Sequence, residues 1–214
     1  MPKTLIVEVL SPEENMKRDE EALFALEVGR GFPNYRIFKW DRMCLSIGKN
    51  QKPPQKPQLP WVKRPTGGGI LLHGWDISFS FTDLKSRWGN KPTDIYIRVA
   101  QFLADTFKEA GVSVQIQKFP GNYRENPYCF YIPSFGEISL EGKKLLSLAM
   151  RTLRKSFLLQ GSVYEFFDFK RASDLLGVPE KELRSRIITL EELPLKGEFI
   201  LLLKKRLQEL FKSS

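Results

Sequence analysis

The sequence predicts a mixed α/β or α+β domain, because strand patterns alternate along the chain with helical patterns and hairpin turns. Residues 77–82 alternate large apolar and small polar side chains, which is typical of a half-buried strand. Residues 92–110 carry apolar side chains at helical spacing and are followed by a glycine that ends the helix. Residues 136–163 predict a strand meander with turns at 141–142 and 154–155.

The first third of the chain predicts a strand, a capped helix and several short strands. A strand is expected over 3–10. Ser11 then has the properties of an N-cap, since Pro12 takes the first helical position and Glu14 stands at capping-box spacing. Gly29 ends that helix. Further strands are expected over 35–40, 43–47 and 61–63, and a loop over 52–60, which holds four prolines.

The remaining segments predict one more strand and one more helix. Residues 112–116 alternate as a strand, and residues 198–211 predict an amphipathic helix, whereas 183–193 fit neither pattern. We expect one domain over 1–214. A small helical appendage over 169–214 stays open, because no linker marks its start.

Composition and charge exclude several classes of protein. The chain has 214 residues, 42% apolar and 28% charged, as in an ordinary globular protein. No segment approaches the run of about 20 apolar residues that spans a bilayer, so no membrane-spanning segment is expected. The first residues lack the layout of a signal peptide, and two cysteines suggest no disulfide framework, so we expect a cytoplasmic protein.

The net charge of +9 favours an anionic partner, which could be a nucleic acid, a membrane surface or an acidic protein. The basic residues are scattered, without a long block or a nucleic-acid-binding motif, so charge alone does not choose among these partners. Neither a membrane nor a nucleic acid is the expected partner. A solvated basic surface explains the same composition.

A run of three glycines, 67–69, is the strongest local signal. Consecutive glycines let backbone N–H groups approach a ligand closely, although such a run is also typical of a turn. Arg64 lies just upstream and His73, the chain's one histidine, four residues downstream. A lone histidine is usually a structural residue, and spacing alone does not decide its role.

Cys129 lies in an irregular segment before the meander, where a substrate could reach it. Nearby positive charge would lower its pKa and raise its reactivity, and four basic residues downstream could supply that charge: Lys143, Lys144, Arg151 and Arg154. The alternative is an inert, semi-buried thiol. Cys44 lies in an apolar strand pattern and is expected in the core.

Taken in order, these motifs resemble the superfamily of lipoate–protein ligases, octanoyltransferases and biotin ligases. Residues 64–73 match its R-[RP]-x-G-G-G-x-x-x-H motif. Residues 142–149 resemble its G-[RK]-K-[IVL]-x-G-x-A segment, whose second basic residue is the family's key lysine, here Lys144. The resemblance covers about residues 5–165. It implies an α+β fold, a mixed and largely antiparallel sheet flanked by helices, as in the biotin/lipoate ligase-like catalytic domain.

A second motif distinguishes the subfamily. Residues 129–138 are similar to the C-F-x-x-P-S-x-x-E-[IL] run of cysteine-dependent octanoyltransferases and related amidotransferases. In both, the cysteine carries the acyl group as a thioester, which makes Cys129 the candidate nucleophile. The chain departs from the family at Ser147 and Met150, which replace a glycine and a glutamine, and at Gln160, which stands in a histidine position.

The resemblance implies an acyltransferase that needs no metal and no cofactor for transfer. An octanoyl or lipoyl group would pass from acyl-carrier protein through Cys129 to a lysine of a lipoyl domain, in an E2 subunit or the glycine cleavage H protein. Lys144 would lower the thiol pKa and stabilise developing charge. The implied substrate-binding residues are Arg64, Gly67, Gly68, Gly69, His73, Ala149 and Gly161.

Three alternatives stay open. An ATP- and Mg²⁺-dependent lipoate or octanoate ligase would use Lys144 on an acyl-adenylate. An amidotransferase would move the acyl group between two carrier proteins with the same residues. A non-catalytic scaffold or nucleic-acid-binding protein could retain the fold despite the departures at Ser147, Met150 and Gln160.

Overall fold

The computed structural model describes residues 7–55, 57–89, 91–118, 127–131, 134–193 and 195–212, with the backbone alone for 196–198. The helices are α1 (Pro12–Glu27), α2 (Lys85–Trp88), α3 (Pro92–Glu109), α4 (Phe169–Leu176), α5 (Glu180–Arg186) and α6 (Lys196–Lys212), and short 3₁₀ turns cover Cys129–Tyr131 and Leu190–Glu192. The strands are β1 (Glu8–Leu10), β2 (Asn34–Trp40), β3 (Cys44–Ile47), β4 (Trp61–Lys63), β5 (Leu71–His73), β6 (Asp76–Leu84), β7 (Gln115–Ile116), β8 (Ile138–Leu140), β9 (Lys143–Thr152) and β10 (Ser156–Tyr164).

In the described part of the chain the strands form one large and one small sheet. The large sheet has the order β1-β2-β6-β10-β9-β8-β7. Its neighbours are antiparallel except β1 and β2, which are parallel. The small sheet has the order β4-β3-β5, with β3 parallel to β4 and antiparallel to β5. The predicted mixed, largely antiparallel sheet with flanking helices is confirmed.

Helix α1 begins as the sequence predicts. The Ser11 hydroxyl accepts a hydrogen bond from the Glu14 N–H at 3.1 Å, and Pro12 takes the first helical turn, where its missing N–H costs nothing. The strand expected over 3–10 is confirmed for Glu8–Leu10, while residues 3–6 lie outside the described residues. Helix α1 lies against β6 and β10, and thereby covers one face of the large sheet.

The main hydrophobic core lies on the other face, under α3 and α6. Helix α3 buries its apolar stripe there, and Phe107 stacks on Phe199 of α6 with ring centroids 3.9 Å apart. Both helices were predicted and are confirmed. Within the described residues no helix is long and apolar enough to cross a membrane.

Strand β6 differs from its prediction, because it is buried on both faces. Its polar side chains Ser78 and Ser80 are each 3% exposed. Ser80 donates a 2.7 Å hydrogen bond to Asp19 of α1, and Ser78 accepts one from the Trp40 indole at 3.0 Å. The polar alternation therefore marks a buried hydrogen-bonding face, and the prediction of a half-buried strand is wrong.

The C-terminal segment returns to the sheet. The stretch 183–193, left open by the sequence, contains the end of α5, a bridge and a 3₁₀ turn. Ile187 pairs with Lys144 in a parallel bridge, and the Ile188 N–H donates to the Lys144 carbonyl at 3.1 Å. The strand expected over 112–116 is limited to Gln115–Ile116.

Candidate active site

A cavity opens between α1, the glycine run and strands β9 and β10. Its empty space is about 420 Å³, a figure that includes space open to solvent. The lining residues are mostly apolar or small: Met16, Phe38, Trp40, Arg64, Gly68, Leu71, His73, Ser78, Cys129, Ser147, Leu148, Ala149, Gln160, Gly161 and Ser162. Of the residues expected to bind substrate, this set includes Arg64, Gly68, His73, Ala149 and Gly161.

The Arg64 guanidinium holds the glycine run in place. Nη2 donates to the carbonyl oxygens of Gly67 at 2.8 Å and Gly69 at 2.7 Å. Nη1 donates to the carbonyl oxygen of Ser46 at 2.8 Å and to its hydroxyl at 2.7 Å. Of the three glycines, Gly68 has a positive φ, +88°, which favours glycine. Arg64 thus shapes the cavity wall through the backbone.

Gly48 allows the glycine run to approach β3 and was not among the predicted site residues. A Cβ at this position would lie 2.1 Å from the Gly68 carbonyl oxygen. The Lys49 N–H also donates to the Thr66 carbonyl oxygen at 2.8 Å. The available sequence signal was a glycine directly after the strand expected over 43–47.

His73 is held on both ring nitrogens. Nδ1 lies 2.8 Å from Asp76 Oδ2, and Nε2 lies 2.6 Å from Ser46 Oγ, while the ring stacks on Trp40. Burial alone would raise the pKa of Asp76, but His73 and hydrogen bonds from Ser162 and the Gly74 N–H outweigh it and lower that pKa. His73 is therefore a fixed part of the cavity wall.

The backbone of Cys129 is hydrogen-bonded to Ile70, which directly follows the glycine run. Its N–H donates to the Ile70 carbonyl at 2.8 Å, and the Ile70 N–H donates to the Pro127 carbonyl at 2.7 Å. Cys129 is 5% exposed and lines the cavity. The expectation of an open loop cysteine is wrong: the thiol is reached through the cavity. Pro133 of the same motif lies outside the described residues.

The Cys129 thiol contacts a buried ion pair. Lys144 Nζ lies 2.7 Å from Glu137 Oε2 and 3.5 Å from Cys129 Sγ, and it also donates to the Cys129 carbonyl. Glu137 Oε1 lies 3.4 Å from the sulfur. Lys144 is 7% and Glu137 1% exposed. A nucleophile at the cavity wall therefore contacts a buried cation and a buried carboxylate. A nucleophile beside a cation suits covalent catalysis in which negative charge develops.

In the resting site both the Cys129 thiol and the Lys144 amine carry their protons. Burial, and next the Glu137 carboxylate, raise the pKa of the Cys129 thiol, and Lys144 offsets this only in part. Burial by itself would lower the pKa of Lys144, but Cys129 and Glu137 reverse that effect and raise it. The resting group is thus a neutral thiol beside a charged pair. Lys144 lowers the thiol pKa as expected, but burial and Glu137 outweigh its effect.

A β-bulge turns Lys144 towards the thiol. Ile138 pairs with Leu146 and the adjacent Ser139 with Lys144, so Leu145 is the extra residue on β9. Leu145 and Leu146 both pack in the main core. Without the extra residue, Lys144 would share the core-facing side of β9 with Leu146. The bulge brings it to the side of Ser147, which lines the cavity.

The three departures from the family pattern have different surroundings. Ser147 Oγ lies 3.6 Å from Cys129 Sγ. Both Ser147 and Gln160 line the cavity. Met150 packs against the main core. Gly161 also lines the cavity, and a Cβ there would lie 2.2 Å from the Phe79 ring.

Two further residues of this region were missed. Glu137 belonged to a quoted motif but received no role, and Asp76 was not considered. Of the four cations proposed near the thiol, Lys144 is the one with a contact to it, whereas Arg151 pairs with Glu20 at 2.9 Å. Cys44 is fully buried in a small core cluster, as predicted.

Sequence comparisons agree on one family. Residues 11–207 match the family model of the lipoyl protein ligase A/B catalytic domain. Octanoyltransferase LipM of Brevibacillus brevis is 29% identical over 202 residues, covering 86% of this chain and 73% of that protein. Octanoyltransferase LipM of Halalkalibacterium halodurans is 30% identical over 194 residues, covering 82% of this chain and 70% of that protein.

Solved structures share the fold. Lipoate-protein ligase A bound with ATP superposes with a TM-score of 0.72 at 17% identity, covering 98% of this chain and 85% of that one. The bipartite lipoate protein ligase described with its E2 lipoyl domain from Thermoplasma acidophilum gives 0.70 at 15% identity, covering 97% and 81%. At these identities the likeness concerns the fold alone.

Proposed function

This chain belongs to the lipoyl protein ligase A/B catalytic domain family and is an acyltransferase, and on that premise we propose that it transfers octanoyl groups through Cys129. The donor is octanoyl-acyl-carrier protein, and the acceptor is a lysine of a lipoyl domain. The observation that carries the proposal is the contact of the Cys129 thiol, at the cavity wall, with the Lys144–Glu137 ion pair.

The first half of the reaction forms an acyl-enzyme. Cys129 Sγ attacks the carbonyl carbon of the carrier thioester, the new S–C bond forms, and the bond to the carrier sulfur breaks. The thiol proton leaves with the carrier thiol. Lys144 keeps its proton, because its pKa is raised, and its positive charge stabilises the anion that develops beside it.

The second half passes the acyl group to an amine. A neutral lysine amine of the lipoyl domain attacks the thioester on Cys129, an amide bond forms, and the thiol is restored. Because a thioester stores the energy of acyl transfer, neither half needs ATP. Splitting one transfer into two steps is the general advantage of a covalent intermediate.

The apolar lining of the cavity suits an alkyl chain. Met16, Phe38, Trp40 and Leu71 supply apolar walls near the thiol, which favour a hydrocarbon over water. Cys129 is paired through its backbone to Ile70, next to the glycine run. The acyl chain would extend from the sulfur along these walls, past Ala149 and Gly161, whose small side chains leave room.

The charge of the chain fits the two protein substrates. Acyl-carrier proteins and lipoyl domains tend to be acidic, and this chain has a net charge of +9. Opposite charges speed diffusional encounter and orient docking. The rate of transfer should therefore fall as salt is added, more for kcat/KM than for kcat.

A transfer assay tests the proposal and separates it from its rivals. Octanoyl-acyl-carrier protein and a lipoyl domain, without ATP, should give octanoylated domain with the wild type and with Cys44→Ala, but not with Cys129→Ala. Octanoylation from free octanoate, ATP and Mg²⁺ that persists in Cys129→Ala would show a ligase instead. Transfer only from an octanoylated glycine cleavage H protein would show an amidotransferase.

A further inference from the structure

Glu137 has contacts that the proposed function does not use. We propose that Glu137 is the proton acceptor of both half-reactions, taking a proton first from the Cys129 thiol and then from the attacking amine. This inference rests on the proposed acyl transfer through Cys129 and adds a third catalytic residue to it.

The two carboxylate oxygens of Glu137 have separate contacts. Oε2 lies 2.7 Å from Lys144 Nζ and accepts a hydrogen bond from the Ser134 N–H at 2.5 Å. Oε1 faces the sulfur of Cys129 at 3.4 Å. One oxygen is thus anchored, and the other points at the atom that must lose a proton, within the reach expected of a general base to sulfur.

Charge conservation favours this route. In the resting site the Lys144 cation is balanced by the Glu137 carboxylate, while the thiol is neutral. Moving the thiol proton to Oε1 transfers the negative charge to sulfur, which lies 3.5 Å from the same Lys144 Nζ. The site holds one cation and one anion before and after. No additional buried charge is created, and the desolvation cost of ionising a buried thiol alone is avoided.

Lys144 is a poor candidate for the same role. It carries its proton in the ion pair, and its pKa is raised by Cys129 and Glu137 beyond the lowering caused by burial. Three further ionisable groups act electrostatically on Cys129 or Glu137: Arg64, Tyr96 and Tyr164. Burial raises the pKa of Tyr96 and Tyr164, and Arg64 is a permanent cation, so none of the three accepts a proton at neutral pH.

The proton balance closes in each half. As the Cys129 S–C bond forms, the thiol proton moves to Glu137. The bond between the acyl carbon and the carrier sulfur then breaks, and Glu137 passes the proton to that sulfur, which leaves as a thiol. In the second half the attacking amine forms the amide C–N bond and gives one proton to Glu137. Cys129 sulfur then leaves the acyl carbon and recovers that proton. Glu137 ends each half as a carboxylate, and no external acid or base is consumed.

The substitution Glu137→Gln separates the two halves. Gln can still accept the Ser134 N–H but cannot take a proton. Because the Glu137 carboxylate raises the Cys129 pKa, the variant thiol should ionise at lower pH, paired with Lys144. Iodoacetamide alkylation of Cys129, measured against pH, should show this shift. Acyl-enzyme formation should then persist, because a thiol that is already ionised needs no proton acceptor. Aminolysis still needs one and should fall by about 100-fold, the usual contribution of a general base.

The measurement follows both halves by rapid mixing and intact-mass spectrometry with octanoyl-acyl-carrier protein and a lipoyl domain. Glu137→Gln should accumulate octanoyl-Cys129, and Glu137→Asp, which keeps a carboxylate, should exceed the Gln variant in aminolysis by at least about tenfold. Glu141→Gln is the matched control at an exposed turn residue and should behave as wild type. Thermal unfolding of each variant checks that it is folded.

Two results would overturn the inference. One is aminolysis in Glu137→Gln within about threefold of wild type. The other is an equal loss of both halves with a higher thiol pKa, which would mean that Glu137 only positions Lys144. Failure of the underlying proposal looks different, because the wild type itself would then form no octanoyl-Cys129. If Glu137→Gln does not fold, Glu137→Ala takes its place in both measurements, and aminolysis within about threefold of wild type again overturns the inference.

Discussion

The side-chain amide of Gln160 donates from Nε2 to Oδ2 of Asp19 at 2.7 Å, joining the central strand β10 to helix α1. Its Oε1 accepts a hydrogen bond from the Thr66 hydroxyl at 2.7 Å, beside the glycine run. Burial raises the pKa of Asp19, against the effect of Arg36. An amide can donate to one neighbour and accept from the other at any pH, so Gln160 satisfies both contacts at the position that the resemblance assigns to a histidine.

Replacing Gln160 by Leu should destabilise the protein by about 2–4 kcal/mol, because two buried polar groups lose their partner. The free energy of unfolding in urea measures the loss. Gln101→Leu is the matched control, since the hydrogen bond from Gln101 to Asp105 is solvent-exposed, and it should change stability by less than about 0.5 kcal/mol. Equal losses in the two variants would refute the assigned role of Gln160.

Gly48→Ala should displace the glycine run. The added Cβ would lie 2.1 Å from the Gly68 carbonyl oxygen, so the backbone must shift, at a cost of about 1–3 kcal/mol. Octanoyl transfer should fall at least tenfold, an order-of-magnitude expectation for a displaced site wall. Gly67→Ala is the control for stability, because its Cβ meets no atom within 4 Å. Equal free energies of unfolding in the two variants would contradict the role given to Gly48.

Asp76→Asn should lower stability by about 2 kcal/mol at neutral pH, since a carboxylate that accepts from His73 and Ser162 is lost. The pKa of Asp76 is lowered below 3.8, so its stabilisation is complete above that value and is lost as pH falls through the folded pKa. The difference in unfolding free energy between wild type and variant should be constant from about pH 7 to 5 and shrink below about pH 4.

Asp105→Asn on α3 is the control for Asp76→Asn, because it removes the same charge near the surface. Its difference from wild type should stay close to zero over the whole pH range. If the difference in unfolding free energy between wild type and Asp76→Asn grows on acidification, the Asp76 carboxylate is not stabilised by these hydrogen bonds.

The fold was largely predictable because its elements carry strong local signals. The cap at Ser11, the helical spacing of α3 and the turns of the meander depend on residues close in sequence. Strand β6 shows the limit, since its alternating Ser78 and Ser80 look like a solvent face. Only the position of α1, with Asp19 aimed at the sheet, shows that this face is buried.

The sequence predicted which residues form the site better than it predicted their protonation states. The resemblance named Cys129 and Lys144, and the structure brings them together across a bulge that two adjacent leucines, Leu145 and Leu146, signal weakly. The protonation of the thiol depends on burial and on Glu137, whose contacts with Cys129 and Lys144 exist only in the folded chain. Sequence spacing carries no information about such contacts.

The most direct measurement of the central claim is intact-protein mass spectrometry after mixing the chain with octanoyl-acyl-carrier protein in the absence of ATP. The account predicts one added octanoyl group, which hydroxylamine removes. The Cys44→Ala variant should still form this adduct, whereas the Cys129→Ser variant should form no thioester adduct. An unmodified chain, together with octanoylation of a lipoyl domain that requires octanoate and ATP, would contradict it.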